Sequence, residues 1–517
     1  MPGTPRAIHL SAPLVALTLL LSACAGGGTT GPAAAPTTAA GAAATTGAAV
    51  GGAPTRAAAA ATSAPAAATS APAAGGATPS AARTPAATTG AAAGATPAAT
   101  SAAAAPAAPS APLEKIGGTV TVLGTWGGSE QDSFLAMVKP FEDQTGVTVQ
   151  YEGTRDLNAI LTTRVQGGNP PDVAGLPGPG QMAEFARAGK LIDLSQVLDM
   201  NAMRQQYSED WITLGTVDGK PVGIFIKAAV KGSIWYNPKE FSKVSGGTPP
   251  KNWNDLMALS EKIANSGTAP WCIGLASGAA SGWPGTDWLE DIFLRQAGPD
   301  KYDQWWQGKI AWTSPEVKQA WQTWGQIVAN DKMVFGGRQG MLATNFQDAG
   351  NVLFTSPPRC YMMHQGSFIT DFFVKANPNL KPVDDFNFFP FPDIDPQYSG
   401  SIEAAGDLFG MFKDTPQARA LIKYLTTPEA QTIWVKRGGA ISPNKQVSLD
   451  AYPDPISKEL AQTLTSAKIV RFDASDLMPE AMNNAFWKAI LDYVQSPNNL
   501  DSILANLDKV QQDAYKH

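Results

Sequence analysis

Residues 119–151 read TVTVLGTWGGSEQDSFLAMVKPFEDQTGVTVQY, and the change of period along this stretch decides the fold. Thr119 to Thr125 alternates β-branched and other residues, which predicts a strand. Trp126-Gly127-Gly128 then turns the chain into a predicted helix from about Glu130 to Gln144. Within it Phe134, Met137, Val138 and Phe141 fall at i, i+3, i+4 and i+7 and form one stripe to bury. Gly146 ends the helix, and Val147 to Tyr151 predicts a second strand. A strand, a helix and a strand in this order make a parallel sheet with flanking helices the default. Ligands of such sheets sit beyond the carboxyl ends of the strands. Trp126 and Glu130 stand there after the first strand, and Arg155 and Asp156 after the second.

Further along, Asp172-Val173-Ala174 begins a third strand, and the Gly/Pro loop LPGPGQ (176–181) follows on the same ligand side. Val222 to Phe225 with Lys227, then Val230 to Tyr236, are paired extended runs expected at a hinge between two lobes. Asp385 to Pro392 is an aromatic extended run and a candidate second crossing, and Ala404 to Leu408 starts another strand. Trp253, Leu256, Leu259 and Ile263 lie on one helical face, so Trp253 is assigned to the core. After the Ser314-Pro315 start signal, Val317, Ala320, Trp321, Trp324 and Val328 line another buried stripe. Trp305 and Trp306 are adjacent and cannot face the same way, which leaves one of them for the surface. Proline-led helices are expected at Pro416 to Leu425 and Pro428 to Lys436, and one amphipathic helix from Pro479 to Tyr515.

The chain opens differently. Residues 1–23 carry Arg6, then an apolar run from Leu10 to Leu21, the pattern of an export signal. That run is shorter than the roughly 20 residues a membrane-spanning helix needs. Leu21-Ser22-Ala23-Cys24 resembles a bacterial lipobox, so Cys24 is expected to be the lipidated first residue of a chain anchored outside the cell membrane. Ala25 to Pro112 is nearly all Ala, Gly, Pro, Thr and Ser and contains no aromatic residue. It cannot bury enough apolar surface to offset the entropy of ordering, and a disordered tether spanning on the order of 50 Å is expected.

The body, 113–517, is too long for one simple core, and two lobes are expected. It holds all 44 acidic residues against 35 lysines and arginines, a net charge near −9. That balance argues against nucleic acid or anionic lipid as a partner. With Cys24 given to lipid, Cys272 and Cys360 remain; an oxidising compartment suggests one disulfide, with two free thiols as the alternative.

The densest chemistry lies in PWCIGLASGAASGWPGTDWLED (270–291), which holds three tryptophans, a cysteine and three carboxylates. Its glycines and prolines predict a loop. Indole faces beside carboxylates suit a sugar, whose C–H faces take apolar cover and whose hydroxyls need acceptors. Catalytic signatures are thin. Only His364 is an internal histidine, no G-x-S-x-G, H-E-x-x-H or P-loop pattern occurs, and His364 with two cysteines cannot supply a zinc site. No cofactor and no metal is expected. A glycosidase needs only two nearby carboxylates, so a tethered glycoside-active enzyme stays open as the alternative.

The segments GTWGG (124–128), EGTRD (152–156), NPPDVAGLPGPGQ (169–181), KGSIWYNP (231–238), PWCIGLASG (270–278) and SGWPGTDWLED (281–291) carry a resemblance that PPRCYMMHQGSFI (357–369), AAGDLF (404–409), GGAISPN (438–444) and RFDASDLMP (471–479) complete. In this order and spacing they resemble extracellular solute-binding protein family 1, the substrate-binding lipoproteins of carbohydrate ABC importers, and within it the α-glucoside-binding proteins. The resemblance implies an α/β, two-lobed, type II periplasmic-binding-protein-like fold, with parallel-sheet lobes joined by a hinge. Lobe 1 would take about 117–227 and 392–434, and lobe 2 about 228–391 and 435–517. It implies a monomer that captures a small oligosaccharide and works with permease subunits and their ATPase. As ligand contacts it implies Trp126, Arg155, Asp172, Trp283, Asp287, Trp288, Gln365, Gly366 and Asp407, beside Glu130 from the strand-end argument. The maltodextrin-binding branch often places a carboxylate near the hinge, where this chain reads Lys227-Ala228-Ala229. That departure favours smaller α-glucosides.

Overall fold

The computed structural model describes residues 113–516, all within the second of two units of the chain, Ser101–His517. The lipidation of Cys24, the export signal and the tether lie outside the described residues. The opening βαβ unit forms as its periodicity dictates. Strand β1 (Thr119–Gly124) pairs in parallel with β2 (Thr148–Gly153) on one side and β3 (Val173–Leu176) on the other. The Ser129–Thr145 helix between β1 and β2 buries Phe134, Met137, Val138 and Phe141. It stops at Gly146, whose φ of 70° is the left-handed conformation that a Cβ would strain.

A small hairpin, β4 (Thr216–Val217) with β5 (Lys220–Pro221), precedes β6 (Ile224–Val230). The long strand β10 (Ser401–Met411) organises the first sheet. It pairs antiparallel with β3 and with β6, and in parallel with β11 (Ile469–Phe472), completing the order β11-β10-β3-β1-β2 with β6 on the far side of β10. β11, expected in the second lobe, thus extends the same sheet as the first lobe's strands.

The chain leaves this sheet at Lys231-Gly232 and enters a second one. Here β7 (Ser233–Tyr236) lies between β8 (Met362–Gln365) and β9 (Asn387–Pro390). Both pairings are antiparallel, which corrects the expectation of a parallel sheet in each lobe. Parallel character appears there only as isolated bridges, among them those from Trp271 to Val334 and Met362 and from Asn252 to Asp393. The reason is that β7, β8 and β9 are four-residue strands placed by long helical excursions, not by successive βαβ units. The runs read as candidate crossings, 222–236 and 385–392, contain β6 with β7 and β9 respectively.

The expected loop at 270–291 is corrected in its second half. A helix runs from Trp283 to Ala297, and every residue from Pro284 to Arg295 is buried. A helix buried all round shows no polar face, so its periodic signal is lost, and its Gly and Pro imitate a loop. Gly285 is needed for packing: a Cβ there would lie 2.5 Å from Ile490 and 3.0 Å from Trp324. The tail is also corrected, from one helix to two, Glu480–Gln495 and Leu500–Ala514, broken at Ser496-Pro497. Trp253, Trp271, Trp305, Trp321 and Trp324 join one large core, and Trp306 is only partly buried. Cys272 and Cys360 form a disulfide with Cα atoms 5.5 Å apart, closing a separation of 88 residues. A loop of that length stabilises by about 4–5 kcal/mol in the chain-entropy model. Among the described residues no helix is long and apolar enough to cross a membrane.

Candidate functional site

A cavity of about 120 Å³, partly open to solvent, lies where the carboxyl ends of β1 and β2 face the start of the Trp283–Ala297 helix. Trp126, Glu130, Arg155, Trp283, Asp287 and Asp407 all line it. Strand β6 contributes Lys227 and Ala229 from one strand face, and Lys231 follows just past its end.

On the first-sheet side four charges interlock. The Lys227 ammonium donates to Glu130 Oε1 at 2.5 Å and lies 3.8 Å from Asp407 Oδ2, while Arg155 donates to Glu130 Oε2 at 3.2 Å. Three rings surround Lys227: Trp126, Phe368 and Trp434 have centroids 5.6, 5.3 and 5.2 Å from its Nζ. Burial pushes Glu130 up, but the two cations outweigh it and hold the carboxyl below its ordinary value. For Lys227 burial lowers, yet Glu130 and Asp407 leave it raised. Asp407 is raised, chiefly by burial.

A second cluster, from the Trp283–Ala297 helix and the segments at β6, β10 and β11, is differently composed. Lys231 donates to Asp287 Oδ2 at 2.8 Å and lies 3.0 Å from Asp473 Oδ2, with its Nζ 4.7 Å from the Trp283 ring centroid. Burial pushes Asp287 up to about 7 against the pull of Lys231. Asp473 ends below its usual value, because Lys231 and the backbone N–H of Asp476 outweigh its burial. Asp476, Glu290 and Glu403 are all driven well up, first by burial and then by neighbouring carboxylates. Glu290 accepts from the backbone N–H groups of Ala474 and Ser475, which fixes the turn that presents Asp473, Ser475 and Asp476.

The two walls touch at the rim. Asp156 Oδ1 accepts from the Ala279 N–H at 3.1 Å, and the Arg155 guanidinium lies 5.1 Å from the Phe346 ring centroid. Thr162 donates to Glu480 at 3.1 Å.

Four sequence-derived candidates stand elsewhere. Asp172 is at the amino end of β3, where its Oδ2 accepts from Thr121 N at 2.8 Å and Thr121 Oγ1 at 2.7 Å. The strand-end rule selects the residues after a strand, and Asp172 precedes one. Trp288 packs on His364 and edge-on to Trp271, with ring centroids 4.4 and 5.0 Å away, and is buried. Trp283 and Asp287 share a helix face at i, i+4, and Trp288 points about 100° round from Asp287. Gln365 is buried, its Oε1 accepting from Gly366 N, and Gly366 backs onto the Phe368 ring. His364 is bonded to Asp291 at 2.8 Å within the core and lies outside the cavity lining.

Sequence reasoning missed Lys227, Lys231, Asp473 and Asp476. The signal for the lysines was present, since two charges interrupt an otherwise apolar strand in IFIKAAVK (224–231). Asp473 and Asp476 sit in RFDASDLMP, a segment used for resemblance but not read for chemistry.

Residues 127–432 match the model of the bacterial extracellular solute-binding proteins. The chain is 42% identical over 376 residues to an osmoprotective compounds-binding protein of Synechocystis sp., covering 72% of this chain and 88% of that one. It is 38% identical over 399 residues to an alpha-glucosides-binding periplasmic protein of Rhizobium meliloti, covering 74% and 85%. The solved structure of a chitin oligosaccharide binding protein superposes with a TM-score of 0.69 at 20% identity, over 77% of this chain and 99% of that chain. That likeness extends to the fold, a two-lobed type II periplasmic-binding-protein architecture.

Proposed function

Since the chain belongs to the bacterial extracellular solute-binding proteins, we propose that it captures an α-glucoside or similar small oligosaccharide in this cavity and delivers it to the permease of an ABC importer. The observation that carries the reading is the lining itself. Trp283 offers an apolar ring, while Arg155, Lys227, Lys231, Asp407 and Asp476 offer donors and acceptors at one cavity. Because Arg155, Lys227 and Lys231 are paired with carboxylates before any ligand arrives, a neutral polyol can exchange hydrogen bonds with them without leaving a cation bare. Charge-assisted bonds of this kind are stronger than neutral ones.

The two lobes close on the sugar through the crossings beside Lys231 and after β9. The rim contacts Asp156–Ala279 and Arg155–Phe346 are then contacts of the closed form. The protein works as a monomer outside the cell membrane, held by a lipid on Cys24 through the tether.

A thermal-shift screen of trehalose, sucrose, maltose and their longer relatives tests this, because a ligand that binds only the folded state raises the melting temperature. At least one α-glucoside is expected to do so, with one sugar bound per chain and recovered intact. A flat response to every sugar would overturn the carbohydrate assignment, and conversion into smaller sugars would favour the enzyme alternative.

A further inference from the structure

Glu403, on β10, is completely buried, and neither of its carboxylate oxygens has a hydrogen-bond partner. Asp287 Oδ1, on the neighbouring helix, is buried and equally unpartnered. One oxygen each from Asp287, Glu403 and Asp473 lie within 4.8 Å of one another. Lys231 does not resolve this arrangement. Its ammonium reaches Asp287 and Asp473 through their Oδ2 atoms, leaving Glu403 and Asp287 Oδ1 bare. Bare buried carboxylate oxygens are costly, and groups so placed are ordinarily paired or coordinate a metal.

We propose that Asp287, Glu403 and Asp473 bind a divalent cation of the calcium class. All three donors are hard oxygens, with no thiolate or imidazole among them, which suits Ca²⁺ and not zinc. Ca²⁺ holds its ligands at about 2.3–2.6 Å, so oxygens up to roughly 5 Å apart share one ion, whereas Mg²⁺ at about 2.0–2.1 Å draws them closer. The surrounding charge favours it too. Asp287, Glu290, Glu403, Asp473 and Asp476 are all buried here against the single ammonium of Lys231, and an ion of charge +2 would offset charge that Lys231 alone leaves unbalanced. The three ligands come from β10, the Trp283–Ala297 helix and the segment after β11, so the ion would clamp three elements distant in sequence. Sequence reading missed this possibility because it weighed only histidine and cysteine as ligands.

The test uses the full chain without sugar, stripped with a chelator and dialysed. Calorimetric titration with Ca²⁺ alone is expected to show one ion per chain, and added Ca²⁺ to raise the melting temperature. Glu403→Gln, which keeps the shape and removes the charge, should weaken Ca²⁺ at least tenfold and abolish the thermal shift. Glu403→Asp, should Glu403→Gln fail to fold, is expected to show the same weakening through its shorter reach. Absence of Ca²⁺ uptake by the wild-type chain would overturn the proposal. So would undiminished uptake by the Glu403 variants, or a preference for Mg²⁺ over Ca²⁺.

Discussion

The two charged walls of the cavity are built on opposite balances. On the first-sheet side, Glu130 and Asp407 meet Lys227 and Arg155, two acids to two bases, and Lys227 is further boxed by three aromatic rings. On the other side five buried acids surround Lys231 alone. The difference teaches that burial of charge is not one effect. In the balanced cluster two cations hold Glu130 below its usual value and only Asp407 is raised by burial, whereas in the over-acidic one Asp287, Asp476, Glu290 and Glu403 are raised and Asp473 alone is lowered. The second wall has more groups left to change their charge.

The largest effect should come from removing each wall's lysine. Lys231→Met strands Asp287 and Asp473 without a cation, and breaking a buried pair in this way costs about 3–5 kcal/mol. Lys227→Met leaves Glu130 with Arg155, so the expected loss is about 1–3 kcal/mol. Urea unfolding of the two variants measures the difference directly. Equal losses would erase the contrast between the walls.

Acidity should move the same contrast more gently. Asp287 is pushed to about 7, and Glu290, Glu403 and Asp476 are also raised. A carboxyl whose folded value exceeds its unfolded one contributes stability that is full below about pH 4 and is lost as pH rises through the folded value. In chelator, therefore, the melting temperature is expected to fall by a few degrees between pH 5 and pH 8. Glu130 and Asp473, both lowered, contribute stability above the ordinary carboxylate range and are flat across this window. Buried His364, lowered from its usual value, runs the other way: its contribution is full above about pH 6.5 and declines below it, one group against these four and against Asp407 and Asp371, which burial also raises. Asp287→Asn should flatten the slope; a melting temperature that rises toward pH 8 would contradict the assignment.

The smallest effect belongs to the rim. Arg155→Ala removes the contact with Phe346 and one bond to Glu130, and an exposed cation–π contact is worth about 0.5–1 kcal/mol. Sugar affinity should weaken by roughly two- to tenfold, mostly through faster release in stopped-flow measurements. A loss above a hundredfold would make Arg155 a central ligand contact and not a closing one.

What was legible in the sequence follows the physics of each element. The βαβ unit at 119–151 was readable because half-buried elements print their period, 2 in the strands and 3.6 in the helix. The Trp283–Ala297 helix was not, since burial on every side removes the period and Gly285 serves packing. Site residues immediately after β1 and β2 could be named from topology, whereas Asp172 could not be told from them without knowing which end of β3 it occupies. Trp283 and Trp288 are five residues apart in one motif, and only the helical rotation separates a cavity wall from a core. The over-acidic wall was invisible because Asp287, Glu403 and Asp473 are brought together from three distant segments.

The claim at the centre is that the sugar lies between these walls, against Trp283. Calorimetric titration of the best sugar from the panel into the wild-type chain and Trp283→Ala tests it most directly. One site is expected in the wild type and at least about thirtyfold weaker binding in the variant, the loss for a central aromatic contact worth about 2 kcal/mol or more. Unchanged affinity in Trp283→Ala would place the sugar elsewhere and contradict it.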